Sequence, residues 1–169
     1  MLSVLVLIKY DKGEACRKML LYLAFVFAGG FFIEVVGVNT GLIFGHYNYG
    51  EGLSIKLFDT PLMIGLNWAL MVYLSAAVVW SFRRNFLYQV LLSSAIMVAY
   101  DVIMEQVAPK MDMWNWAGET IPLQNYLLWA TIAVVFHAVR YFIRLEVKNR
   151  MALPILIIQS IFFLLIWLI

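Results

Sequence analysis

Apolar residues are gathered into five long stretches that alternate with shorter, more polar connections. The stretches cover residues 19–37, 61–80, 86–107, 124–142 and 153–169. Each is close to the run of about 20 predominantly apolar residues that a transmembrane helix requires. A further apolar segment, residues 1–8, is too short to cross and is interpreted as an interfacial segment or the tail of another helix. The pattern predicts an all-α, polytopic membrane bundle of about five helices, forming a single domain over residues 1–169.

Composition supports the membrane interpretation. Of the 169 residues, 64% are hydrophobic and 13% are charged, whereas a soluble domain carries about 25% charged residues. The net charge of +2, without a basic cluster, argues against a nucleic-acid partner. Cys16 is the only cysteine and no metal-ligand spacing recurs, so we expect no disulfide and no metal site.

Basic residues predict the orientation of the bundle. Ten of the twelve Lys and Arg precede the first stretch, separate the second and third, or flank the join of the fourth and fifth. The remaining two, Lys56 and Lys110, lie in connections 38–60 and 108–123. By the positive-inside rule, the amino terminus is cytoplasmic and these two long connections lie outside. We therefore expect a multi-pass protein of the cell (inner) membrane.

Polar side chains recur near the predicted outer ends of four stretches: Glu34, Asn67, Asp101, Glu105, Gln124 and Asn125. Glu34 lies about 5 Å and Asp101 about 9 Å from those ends along a helix. Asp101 and Glu105 are four residues apart and so share a helical face. Carboxyls facing lipid are costly, so we expect all three inside the bundle. Burial and mutual repulsion there favour the protonated form of at least one, which makes it a candidate general acid.

Structural interpretations of the same residues stay open. Glu34 alone could be a rim carboxyl reaching water, and Asp101 with Glu105 could join helices by hydrogen bonds. The Trp and Tyr residues lie where an aromatic belt belongs. His46 suits a loop hydrogen bond, and His137 a structural role. No nucleophile elbow, phosphate loop, dinucleotide fingerprint or internal repeat is evident.

Four pieces of the chain resemble the membrane carotenoid-biosynthesis family that contains the carotenoid 1,2-hydratases, including bisanhydrobacterioruberin hydratase. They are EVVGVNTGLIFGHYNYG (34–50), TPLMIGLNW (60–68), YDVIMEQVAPKMDMWNW (100–116) and IPLQNYLLW (121–129), within a family-like core of about 31–130. The family pattern falls on Glu34, Gly37, Thr40, Gly41, Phe44, Gly45, Tyr47, Tyr49, Pro61, Trp68, Asp101, Pro109, Trp114, Trp116, Pro122, Asn125 and Trp129. Two features depart from it: family members commonly have additional amino-terminal helices, and they tend to have Gly where this chain has Leu128.

The resemblance implies hydration of the terminal 1,2 double bond of an acyclic carotenoid, without a cofactor. An acid would protonate C2, and water would capture the tertiary cation at C1. Asp101 is expected to be the donor and Glu105 to hold its protonation state. Glu34, with Asn125 or His46, would orient and deprotonate water, and the roles of Asp101 and Glu34 could be exchanged. Candidate substrate-binding residues are His46, Tyr47, Tyr49, Asn67, Trp68, Trp114, Trp116, Asn125 and Trp129.

The expected partners are an acyclic carotenoid from the bilayer, water, and either further copies of the chain or other carotenoid enzymes. A lycopene-cyclase-type enzyme is the nearest alternative, because it would protonate the same alkene and quench the cation internally. A small transporter or proton relay is a second alternative, since intramembrane carboxyls also serve relays. A non-catalytic assembly subunit is a third.

Overall fold

The computed structural model describes residues 14–80, 85–118 and 120–169. Five helices dominate them, which confirms the all-α prediction. They are α1 (Glu14–Thr40), α2 (Leu62–Trp80), α3 (Phe86–Val107), α4 (Leu123–Phe142) and α5 (Ala152–Leu168). The apolar segment at residues 1–8 lies outside the described residues.

Three of the described helices are long and apolar enough to cross a membrane: α1 from Cys16, α2 and α3. The other two are less clear-cut, because α5 has only 17 residues and α4 is interrupted by polar side chains such as Gln124, His137 and Arg140. The structure therefore supports a membrane protein, and the number of crossings stays a prediction.

Local signals define the helix ends that lie near the polar layer. α1 runs three residues beyond the predicted stretch and ends at Thr40. Gly41 follows it, and its φ of +66° suits the left-handed position after a helix. α2 follows Pro61 directly and α4 follows Pro122; proline is favoured where a helix begins because its missing N–H has no intrahelical partner there. Glu34 thus lies well inside α1.

The two long connections form short strands, which the sequence did not predict. β1 (Tyr47–Tyr49) pairs antiparallel with β4 (Trp114–Trp116), so that Asn48 lies opposite Asn115. β2 (Lys56–Leu57) and β3 (Thr60–Pro61) form a hairpin. The β1–β4 sheet joins the connection after α1 to the connection after α3.

The helices pack in an order that gives the bundle two distinct ends. α1 packs mainly on α2, α3 mainly on α4, and α2 and α5 link the pairs. At one end, Lys18 at the start of α1 donates to the Ile143 carbonyl after α4 (2.5 Å). At the other end, Lys110 after α3 donates to the Trp167 carbonyl near the end of α5 (2.9 Å). The β1–β4 sheet lies at this second end, called the site end below.

Candidate active site

Glu34 accepts three hydrogen bonds inside the bundle, where its side chain is only 4% exposed. Its Oε2 accepts from the hydroxyls of Tyr47 (2.7 Å) and Tyr49 (2.8 Å). Its Oε1 accepts from the indole Nε1 of Trp68 on α2 (3.1 Å). Alternate residues of a strand face the same side, which is why β1 delivers both tyrosines to one carboxyl while Asn48 between them is exposed.

Glu105 is held in the same manner from the other strand. Its Oε2 accepts from the indole Nε1 atoms of Trp114 (3.0 Å) and Trp116 (2.8 Å) on β4. Its Oε1 accepts from Nδ2 of Asn125 near the start of α4 (2.9 Å). Glu105 is also 4% exposed. Buried carboxyls are stabilised when their lone pairs are satisfied in this way.

Asp101 differs from both glutamates. It lies one turn before Glu105 on α3 and is 2% exposed, yet its buried Oδ2 has no hydrogen-bond partner among the described residues. A buried polar atom without a partner is unusual in a folded protein and calls for an explanation. Here the explanation is available space, because Asp101 lines a cavity that it shares with Glu34 and Glu105.

The cavity has a volume of about 20 Å³, which is room for about one water molecule. Its lining consists of Glu34, Phe44, Tyr47, Tyr49, Ile64, Asn67, Asp101, Glu105, Trp114, Trp116, Asn125 and Trp129. Among the described residues, no lysine, arginine or histidine lines it. The three carboxyls therefore share one small cavity, and no cationic side chain of the described residues lies in its wall.

Aromatic rings make up much of the surrounding wall. Tyr47 packs against Trp116 with ring centroids 5.1 Å apart, and Trp68 stacks on Trp129 with centroids 3.9 Å apart and planes 17° from parallel. Burial is the main cause that raises the pKa of the Tyr47 and Tyr49 hydroxyls, and the Glu34 carboxyl raises each pKa further. Both hydroxyls therefore keep their protons and act as donors near neutrality.

Most of the predicted site residues come together, with two differences in their partners. His46 is exposed, stands outside the cavity, and packs over Gly41. Asn125 contacts Glu105 rather than Glu34. Neither side chain therefore accompanies Glu34 as predicted. Trp68 contacts Glu34 from behind the cavity wall. Gln124 binds the loop carbonyls of Leu42 and Ile43 instead of the site.

Two apolar wall residues, Phe44 and Ile64, were not predicted as site residues. Phe44 was named only as a position of the family pattern, and nothing local distinguishes Ile64 from other core positions. Sequence reasoning also missed how the two glutamates are matched to the two strands. The signal for that was present in the sequence: YNY after the first glutamate and WNW after the second each place two donors at alternate positions.

Comparisons with known proteins bear on the whole chain. A family model described as "Carotenoid biosynthesis protein" matches residues 1–169. No curated protein and no solved structure matches the chain. The family match covers both the buried carboxyls and the two strands that hold them.

Proposed function

The chain belongs to the carotenoid biosynthesis protein family, and we propose that it is a carotenoid 1,2-hydratase of the cell membrane. It would add water across the terminal double bond of an acyclic carotenoid. The observation that carries the proposal is a water-sized cavity lined by three buried carboxyls, one of which keeps an oxygen without a partner. Hydration of an alkene needs a proton donor, a water molecule and a base in one place. The three carboxyls are candidates for the donor and the base, and the cavity has room for the water.

Asp101 is assigned the role of proton donor. Its proton goes to C2 of the alkene, and the π electrons form the new C–H bond, which leaves a tertiary cation at C1. The water in the cavity attacks C1, and its surplus proton passes to the Glu34 carboxylate. Return of that proton to Asp101 through a second water resets the site, so that the net reaction is alkene plus water to tertiary alcohol.

Glu105 and the aromatic wall would stabilise the cation. Glu105 lies one turn from Asp101, so its negative charge would be close to the carbon that becomes positive. The rings of Trp114, Trp116 and Trp129 line the same space, and indole faces attract cations. No redox step is involved, because the alkene and the alcohol are at the same oxidation level overall.

The substrate must open the cavity before it reacts. At about 20 Å³ the space holds a water molecule, and a branched chain end is larger. Phe44 and Ile64 form an apolar part of the wall, and half-buried Asn67 stands beside Ile64 on α2. We propose that the end of the carotenoid enters by displacing side chains of this wall, while the rest of the polyene stays in the hydrocarbon between the helices.

Expression in a host that makes an acyclic carotenoid tests the proposal. The expected result is a pigment heavier by one water for each reacted end, with the visible chromophore retained, because the terminal double bond lies outside the conjugated system. The catalytic control is Asp101→Asn at the same expression level, which should leave the host pigment unmodified.

Other outcomes point to the alternatives. A product of unchanged mass with altered absorption would indicate cyclisation, in which the cation is quenched by the substrate's own double bond. Unmodified pigment from well-expressed wild-type protein would contradict an enzymatic role on that substrate and favour a relay or an assembly subunit.

A further inference from the structure

Although no internal repeat is evident in the sequence, the structure shows two segments that share one order of elements, helix–strand–helix, which corrects that expectation. Pro61 and Pro122 each come directly before a helix. In both helices the first and fifth residues are Leu and the seventh is Trp. Trp68 is consequently the seventh residue of α2, and Trp129 the seventh of α4. Upstream of each helix stand a buried glutamate and an aromatic-Asn-aromatic strand. The first copy is α1–β1–α2, with the β2–β3 hairpin inserted before α2, and the second is α3–β4–α4.

The three-dimensional arrangement follows the same correspondence. β1 and β4 pair antiparallel about the opposed Asn48 and Asn115, so a local two-fold axis between these asparagines exchanges the strands. The corresponding Trp68 and Trp129 stack on each other. α1 packs on α2 as α3 packs on α4. The cavity therefore lies between two half-sites of common design.

The half-sites differ at the position four residues before each glutamate, which is Gly30 in the first copy and Asp101 in the second. A Cβ on Gly30 would lie 2.5 Å from Cγ of Trp68, so the missing side chain makes the room in which Trp68 reaches Glu34. In the second copy the equivalent place holds the Asp101 carboxyl, and Asn125 supplies the third bond to the glutamate.

They differ also in the chemistry of the donors. Two of the three partners of Glu34 are hydroxyls, which can donate to a carboxylate and equally accept from a protonated carboxylic acid. The partners of Glu105 are two indole N–H groups and an amide NH₂, and an indole N–H is a donor only. A proton on Glu105 would have no acceptor there unless the Asn125 amide reversed.

We infer that the two half-sites divide the work by these donors: Glu34 exchanges protons, and Glu105 stays a carboxylate throughout. Hydrogen bonds to a charged form favour that form, and all three bonds to Glu105 are of this kind. Besides each other, the titratable groups that face the two glutamates are Asp101, Tyr47, Tyr49 and, on α4, Tyr126, which interacts electrostatically with Glu105. No described lysine, arginine or histidine lines the cavity. That Glu34 accepts the proton of water and Glu105 stabilises the cation rests on the proposed function. The difference in protonation between the two glutamates does not depend on it.

Infrared difference spectroscopy of the full chain in detergent, without substrate, tests the division. An Asp101→Asn background leaves two carboxyls in the cavity. On acidification this protein should gain the C=O stretch of a buried carboxylic acid. Adding Glu34→Gln should abolish that band, whereas adding Glu105→Gln should leave it and remove a carboxylate stretch instead. A protonation band that disappears with Glu105→Gln and survives Glu34→Gln would overturn the inference.

Exchange of one donor supplies a second test that keeps both glutamates. Trp116→Tyr gives Glu105 a hydroxyl partner of the kind that Glu34 has, so a second protonation band should appear. Tyr49→Trp is the matched reverse exchange and should weaken the Glu34 band. An unchanged number of bands in folded Trp116→Tyr protein would contradict the role of donor type. These spectra can be recorded without turnover. Absence of hydrated pigment would therefore contradict the proposed function and leave the inference about the two glutamates standing.

Discussion

At the scale of single residues, the three carboxyls that share one cavity differ in how many hydrogen-bond donors contact them. Glu34 and Glu105 each accept three hydrogen bonds, with at least one on each oxygen, so their side chains are held in place. Asp101 has a buried oxygen with none. A carboxylic acid without a partner is the one most able to give its proton to a bound alkene, because no existing bond must break first.

Asp101→Asn should therefore abolish most of the activity while leaving the fold intact. Loss of a positioned acid typically lowers a rate by about 10²–10⁴-fold, and Asn is nearly isosteric with the protonated acid. The measurement is the initial rate of pigment conversion in membranes, together with thermal unfolding in detergent. Asp59→Asn is the matched control, because Asp59 is exposed and its positive φ of 58° is tolerated by Asn. A near-normal rate in Asp101→Asn would refute the donor role.

At the scale of elements, glycines set the distance between α1 and α2. A Cβ on Gly65 would lie 2.9 Å from the ring of Phe27, and Gly30 faces Trp68 even more closely. Small residues at such interfaces let helices approach and exclude larger neighbours. The contact matters to the site, because Trp68 at this interface both bonds Glu34 and stacks on Trp129.

Gly30→Ala should destabilise the protein and move the side chain of Trp68, which contacts Glu34 in the site. Overpacking a well-filled interior typically costs about 1–3 kcal/mol, and the added methyl would displace Trp68 from Glu34. Thermal unfolding and tryptophan fluorescence would measure both effects. Gly118→Ala is the control, since the nearest atom to its Cβ is 4.0 Å away. Because alanine favours helix over glycine by about 1 kcal/mol, an equally or more stable Gly30→Ala protein would show that the interface is not tight.

At the scale of the whole molecule, the three buried carboxyls and the buried Arg140 lie at opposite ends. The cavity, both sheets, Lys56 and Lys110 belong to the site end. Arg140 is buried at the other end, where it donates to Gln89 on α3 (2.7 Å) and the Leu145 carbonyl. This separation keeps the buried Arg140 away from the cavity. From the positive-inside rule we propose that the site lies toward the outer face.

Labelling of single cysteines tests that orientation. In a Cys16→Ser background, Asp59→Cys should react with a membrane-impermeant thiol reagent in intact cells. Glu146→Cys should react only after permeabilisation, because positions 59 and 146 are exposed at opposite ends of the bundle. The cysteine-free parent reports background labelling. Equal access to both positions in intact cells, or the reverse pattern, would contradict the predicted orientation.

Much of the architecture was predictable because its signals are local. Apolar runs predicted five helices within a few residues, and the i, i+4 spacing placed Asp101 and Glu105 on one face. Burial of all three carboxyls followed from the high free energy of a charge facing lipid. The pairing of β1 with β4 was not predictable in this way, since three-residue strands carry little local signal and lie far apart in the chain.

The sequence by itself determined the class of the molecule: apolar length and sparse charge require a helical membrane bundle, and its motifs determined the family. Only the tertiary structure decided which donors hold which glutamate, and that Asp101 keeps an oxygen without a partner. The physical reason is range. Helix formation and membrane burial depend on neighbouring residues, whereas each bond to Glu34 and Glu105 depends on how separate helices and two short strands meet.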